Sequence, residues 1–223
     1  MATDWYRRNT WTKADEEEFF MRLGRARKDG RAQYLKLQAY ALMDTEKSSL
    51  LTVAESLLTR ILSDFPDDRV EKSQTLNALG VIQMRRGNNE AAIQFFQQAI
   101  EFEKAFPYSI SGAHLNLGEI VVKTGRTDLY DEVQERFLAE ANRGGIIFPA
   151  ELYTIGSVLA IIFAFKDDVE NAKYFAEVAA NNATAKTNTL WNPRKRHYGT
   201  VEHRKVWLDR LVKKAQKFVK RDS

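Results

Sequence analysis

The sequence predicts an all-α protein built as an array of antiparallel helix pairs, and three observations predict it. Apolar and small residues recur three and four apart along most of the chain, which is the spacing of one helical face. The stretch Leu76 to Pro107 carries two such faces, divided by Arg86-Gly87-Asn88-Asn89, a turn in which Gly87 is the natural left-handed cap. The Gly80/Gly87 spacing then recurs at Gly118/Gly125, inside Leu115-Asn116-Leu117-Gly118 and Thr124-Gly125-Arg126. Only four prolines and eleven glycines interrupt the 223 residues. An array of this kind grows in one dimension, so one continuous domain is expected at this length.

Taken in order, residues 1–30 read as an N-terminal arm and a leading helix. Met1 to Trp11 is extended, with Trp5, Tyr6 and Trp11 seeking an apolar surface. Thr12 is placed to cap a helix whose first turn carries Asp15, Glu16 and Glu17, charges that favour a helix N-terminus. Phe19, Phe20, Leu23 and Ala26 supply its apolar face, and Asp29-Gly30 ends it.

Residues 31–183 hold about four helix pairs. In the first, Tyr34, Leu37 and Ala41 face Ala54, Leu58 and Ile61, across a long loop from Asp44 to Ser49, and Phe65-Pro66-Asp67-Asp68 closes the pair. In the second, Leu76, Leu79, Gly80 and Gln83 share one face, and Ala92, Phe96 and Ala99 share the other. A glycine inside a helix costs about 1 kcal/mol against alanine. Gly80 therefore points to a close helix approach, with Ala92 and Ala99 as the small surface approached. The third pair runs from about Ser109 to Asn142 and carries Tyr130, Gln134 and Phe137 on its second helix, before a break at Arg143-Gly144-Gly145. Pro149 opens the fourth, which has Ala160 and then Ala172, Ala176 and Ala179 in register.

Residues 184–223 read as a polar linker and a basic C-terminal capping helix. The Asn- and Thr-rich linker spans Asn181 to Asn192; from Thr200, Val201, Trp207, Leu208, Leu211, Val212, Ala215, Phe218 and Val219 recover a helical period. A solenoid needs such an end helix, apolar inward and polar outward.

Composition narrows the function classes. There is no cysteine, so disulfides and thiolate metal sites are excluded. The longest apolar run, Ile155 to Phe165, falls short of the roughly 20 residues of a membrane span and reads as a buried helix. Met1 to Trp11 contains Arg7 and Arg8 and lacks the apolar core of a signal peptide; no membrane association and a cytoplasmic location are expected. Asn182-Ala183-Thr184 matches a glycosylation acceptor but gains no meaning without secretion. The net charge of +4 is uneven: Trp191 to Ser223 holds eleven Lys/Arg and three Asp/Glu, leaving 23 basic and 27 acidic residues elsewhere.

The pattern Leu76-x2-Leu79-Gly80-x2-Gln83, Ala92-x3-Phe96, Ala99 and Pro107 resembles the tetratricopeptide repeat. Leu76 stands where that family favours Trp, Gln83 stands where it favours Tyr, and Pro107 comes a few residues late. The leading segment, with Arg25-Ala26-Arg27 and Gln33-Tyr34-Leu35, is similar to that of bacterial-type members. The resemblance implies a right-handed superhelical array whose first helices line a concave groove holding a protein or peptide partner. Carried over one residue at a time, Asn77, Val81, Met84 and Arg85 face that groove from the second pair, and Asn116, Glu119 and Lys123 from the third. Asn116 precedes Leu117-Gly118, where the family often places an Asn that bonds a ligand's backbone or carboxylate; its amide both donates and accepts. The bland alternative is a solvated face. The dense basic clamp of chaperone-binding members is absent, so that partner is not expected.

The basic tail contains Arg194, Lys195, Arg196, Arg204, Lys205, Lys213 and Lys214, with Trp191, His197 and Tyr198 able to stack on bases. It suits phosphate contacts but carries no nucleic-acid motif, and an ordinary end helix with long cationic side chains explains it better. His197, Glu202 and His203 include the adjacent pair Glu202-His203, which diverges by about 100° on a helix, and His114 is remote. No metal site, cofactor or catalytic constellation is expected, and the chain reads as a non-enzyme. The expected function is a scaffold binding a protein or peptide in its groove. The alternatives are an immunity- or antitoxin-like stoichiometric inhibitor, or a nucleic-acid-associated regulator acting through the tail. The sequence leaves the oligomeric state open.

Overall fold

The computed structural model describes residues 4–142, 148–186 and 198–219. The described residues are helical and contain no strand. The helices are α1 (Lys13–Arg25), α2 (Arg31–Met43), α3 (Ser48–Asp64), α4 (Lys72–Arg85), α5 (Asn89–Ala105), α6 (Ala113–Thr124), α7 (Tyr130–Asn142), α8 (Pro149–Phe165), α9 (Val169–Ala183) and α10 (Val206–Val219). They fall into two compact units, Met1–Ala113 and His114–Ser223.

In the first unit, α2 packs on α3, α3 on α4, and α4 on α5. Thr12 and Asp15 close a reciprocal cap on α1: Thr12 Oγ1 accepts from the Asp15 N–H at 3.2 Å, and Asp15 accepts from the Thr12 N–H at 2.8 Å. The arm before it, expected to be extended, turns at Trp5-Tyr6, where the Arg7 N–H donates to the Asp4 carbonyl at 3.0 Å, and lies against α1 and α2. Trp5 and Trp11 meet Phe19 at ring distances of 5.4 Å, and Tyr6 meets Tyr34 at 4.9 Å. The fully buried Gln38 amide binds the Arg8 backbone twice, at 3.0 and 2.8 Å.

This arm corrects the register expected for α2. Its core face is Ala32, Leu35, Ala39 and Leu42, while Tyr34, Leu37 and Ala41 are half-buried. Tyr34 is turned toward the arm's aromatic rings. On α3, Ala54, Leu58 and Ile61 are buried as expected. The close approach at Gly80 is also real, but the neighbour is a ring. A Cβ there would stand 2.4 Å from Phe96 Cε1, and Phe96 is fully buried.

In the second unit, Gly118 repeats this contact with Phe137, whose ring would lie 2.5 Å from an added Cβ. Helix α8 packs on α9 along most of its length, and α10 packs on both. A third glycine, Gly156, faces main chain: an added Cβ would stand 2.8 Å from both Ala179 N and Phe175 O. Gly80, Gly118 and Gly156 are evenly spaced, 38 residues apart.

The turn after each of these helices is also repeated. Gly87, Gly125 and Asp167 are left-handed, with φ of 80°, 68° and 58°. The next N–H in each case reaches back five residues: Asn88 to Gln83 O at 2.9 Å, Arg126 to Val121 O at 3.0 Å, and Asp168 to Phe163 O at 2.9 Å. This is the bond of a Schellman cap.

Two boundaries differ from expectation. Helix α9 continues through Asn181 and Asn182 to Ala183, and α10 begins at Val206, after an irregular stretch from Thr200. Leu208 is the fully buried anchor of α10. Phe165, expected in the core, is 58% exposed at the end of α8 and meets Tyr130 edge-on at 5.1 Å.

Candidate functional site

In the first unit the polar face of α4 meets α2 and the loop before α6. Lys36, on the buried stripe of α2, pairs with Glu71 and Gln74. Tyr40 donates to the Gln74 carbonyl at 3.3 Å, and the Lys36 ammonium lies 5.9 Å from its ring centre. Burial, and then the Glu71 charge, push the Tyr40 phenol up to about 12, so it remains a hydrogen-bond donor at neutral pH. Asn77 is half-buried and donates to the Ser111 carbonyl at 2.9 Å. Val81 and Met84 are half-buried, while Arg85 is exposed and bonds the Met43 carbonyl at the end of α2 at 2.7 Å. Below them the buried Glu103 accepts from Ser73 and Ser111, each at 2.6 Å.

In the second unit the α6 residues differ sharply in exposure. Asn116 is half-buried and Lys123 is exposed. Glu119, expected to face a groove, is buried. It pairs with Lys205 and accepts from Thr154 Oγ1 at 3.3 Å. Lys123 Nζ lies 5.5 Å from the Trp207 ring centre. On α8, Tyr153 donates to Asp209 at 3.0 Å, and Arg204 Nε reaches the same carboxylate at 3.1 Å. Burial, and then the bond to Asp209, push the Tyr153 phenol up to about 12. Asp209 raises the Arg204 guanidinium further.

The tail cations thus separate. Lys205 is tied to Glu119, and Arg204 to Asp209. Lys213 and Lys214 are exposed on α10. Arg194, Lys195 and Arg196 lie outside the described residues, as do Trp191 and His197. Glu202 and His203 are exposed, and His114 is buried against Phe137, ring to ring at 6.0 Å. Among the described residues, no three His, Cys, Asp or Glu side chains are grouped to hold a metal ion. No helix among them is long and apolar enough to cross a membrane.

Reading polarity as exposure misses Lys36, Glu71, Glu103, Tyr153 and Thr154. A signal for two of them lies in the periodicity. Lys36 falls four residues after Ala32 and three before Ala39, and Glu103 falls four after Ala99, so each sits on a buried stripe. A further surface, in the first unit, is apolar. Tyr108 is fully exposed, Val70 largely so and Ile110 about half exposed, beside Phe106, which carries the Arg69 guanidinium 4.9 Å from its ring centre.

Compared with known proteins, the chain matches no protein-family model, no curated protein and no solved structure.

Proposed function

We propose that the chain is a tetratricopeptide-type scaffold, a right-handed superhelical array that holds a protein or peptide partner on the faces of its first helices. It works in the cytoplasm and without catalysis of its own. The supporting observation is the register. Gly80, Gly118 and Gly156 recur at 38-residue steps, and each is followed by a left-handed turn, seven residues on in the first two cases and eleven in the third. In that register Val81 and Arg85 on α4 correspond to Glu119 and Lys123 on α6.

The test is co-purification from cell extract with the full chain as bait, followed by identification of the partner. Asn116→Ala and Met84→Ala should each reduce capture several-fold, the first by losing a neutral hydrogen bond of about 0.5–1.5 kcal/mol and the second by losing apolar contact, with the melting profile recorded for each as the control for folding. Capture unchanged by either substitution moves the function to another surface. Salt separates the nucleic-acid alternative. Multiple phosphate contacts lose about 10³–10⁵ in affinity between 50 and 200 mM salt, and a peptide face loses far less.

A second reading, a stoichiometric immunity- or antitoxin-like inhibitor, is favoured by the exposed Val70, Tyr108 and Ile110, because exposed apolar patches mark docking surfaces. Capture abolished by Tyr108→Lys but indifferent to Asn116→Ala selects it.

A further inference from the structure

In the second unit, the positions that the 38-residue register equates with the partner-holding face are already occupied. Val81 corresponds to Glu119 and then to Ser157, Arg85 to Lys123, and Asn77 to Leu115 and then to Tyr153. Segment 204–209 of the same chain meets three of them: Lys205 on Glu119, Trp207 beside Lys123, and Asp209 on Tyr153. Just upstream, the Ala150 N–H donates to the Gly199 carbonyl at 2.8 Å. A stretch of chain lies across these first helices as a bound peptide does.

The pairing at its centre is asymmetric. The Glu119 side chain is 10% exposed and the Lys205 side chain 41%. A buried carboxylate needs a cation close by, and here the carboxylate is built into α6 while the lysine reaches it from outside. End-capping does not call for this contact. Leu208 seals the core where α10 packs on α8 and α9, whereas Lys205 reaches past them to α6.

We propose that the α6–α8 face is a peptide-binding site filled in cis by segment 204–209, and that its ligand in trans is a partner segment bearing a lysine two residues ahead of a tryptophan. This rests on reading the first-helix faces as the partner-holding surface, and it adds the partner's chemistry and a built-in competitor. The lysine is recognised by Glu119 with Thr154, and the aromatic ring by Lys123. The cis segment has the advantage of high effective concentration, so the partner binds in proportion to the fraction of molecules whose own segment is released.

The probe is a fluorescein-labelled synthetic peptide spanning Thr200 to Asp209, titrated against full-length wild type, Lys205→Met, and Lys205→Met combined with Glu119→Gln. Lys205→Met should bind it on the order of tenfold or more tightly than wild type. The double variant, which removes the unpaired buried charge and keeps the fold, should lose that gain. Equal binding to wild type and folded Lys205→Met, or binding undiminished by Glu119→Gln, overturns the proposal.

Should Lys205→Met not fold, the wild type decides. The Leu208 and Asp209 amides bond the Lys205 carbonyl at 2.9 and 3.0 Å, and excess peptide should speed their hydrogen exchange. Unchanged exchange at saturating peptide overturns the proposal. So does a wild-type dimer that the peptide dissociates, because the occupant would then be a second copy. Failure here with co-purification still sensitive to Met84→Ala removes the cis competitor and leaves the scaffold reading standing.

Discussion

In the α4/α5 pair the glycine at 80 faces a phenyl ring, while in the α8/α9 pair the glycine at 156 faces main chain. An added Cβ meets Phe96 Cε1 at 2.4 Å in the first case, and Ala179 N and Phe175 O at 2.8 Å in the second. The sequence position is the same, yet the physical demand differs. A ring can turn or be replaced by something smaller. Two backbones in contact can relieve a clash only by moving the helices apart, which loosens every contact along the interface. The same glycine therefore serves side-chain packing in one pair and helix separation in the other.

This contrast orders the expected mutational effects. Gly156→Ala should be the most damaging, about 3 kcal/mol in urea unfolding followed by circular dichroism, even after the helix-propensity gain of about 1 kcal/mol. Gly80→Ala should cost less, about 1–2 kcal/mol. Its cost should shrink further in a Phe96→Leu background, a coupling that a double-mutant cycle measures directly. Gly118→Ala should follow Gly80→Ala, because Phe137 presents the same kind of ring. A Gly156→Ala loss no larger than that of Gly80→Ala would erase the distinction between ring and backbone.

The lower end of the scale is set by a cap distant from these interfaces. Thr12→Ala should cost about 1 kcal/mol and leave the two glycine effects additive. The smallest effect is one of pH. Hydrogen bonds from the Thr12 backbone and hydroxyl hold the Asp15 carboxyl down at about 2, against an ordinary 3.8. The unfolded chain takes up this proton first as pH falls, so the contribution is present above about pH 4 and is lost on descending through about pH 2. Asp15→Asn should remove that contribution near neutrality, flatten the stability profile between about pH 4 and pH 2, and converge with wild type below that window.

Much of the helical pattern was legible because three- and four-residue spacing and glycine turns are local signals. Gly87 and Gly125 marked their turns, and Thr12 marked its helix. Gly156 was not legible, since it lies within the apolar run from Ile155 to Phe165, where no periodicity distinguishes one face from another. Asp167 hid the third turn, because an aspartate in the left-handed region does not stand out in a sequence as a glycine does. The α2 register slipped by one because Tyr34 and Leu37 are large apolar residues that only half-bury, Tyr34 against the arm. The candidate site was the least legible part. Glu119 reads as solvated when taken with its sequence neighbours, and its partner Lys205 stands 86 residues away.

That separation bears on how the chain folds. The helix pairs close through turns of a few residues, so most of their contacts join near neighbours in sequence, the condition for fast folding. The Glu119–Lys205 link requires a long loop to close and is expected to form after the pairs that flank it. Interactions absent from the transition state act on unfolding rather than folding. Loosening this link should therefore shorten the lifetime of the native second unit while leaving its folding rate nearly unchanged, which stopped-flow chevron plots would register as a raised unfolding limb.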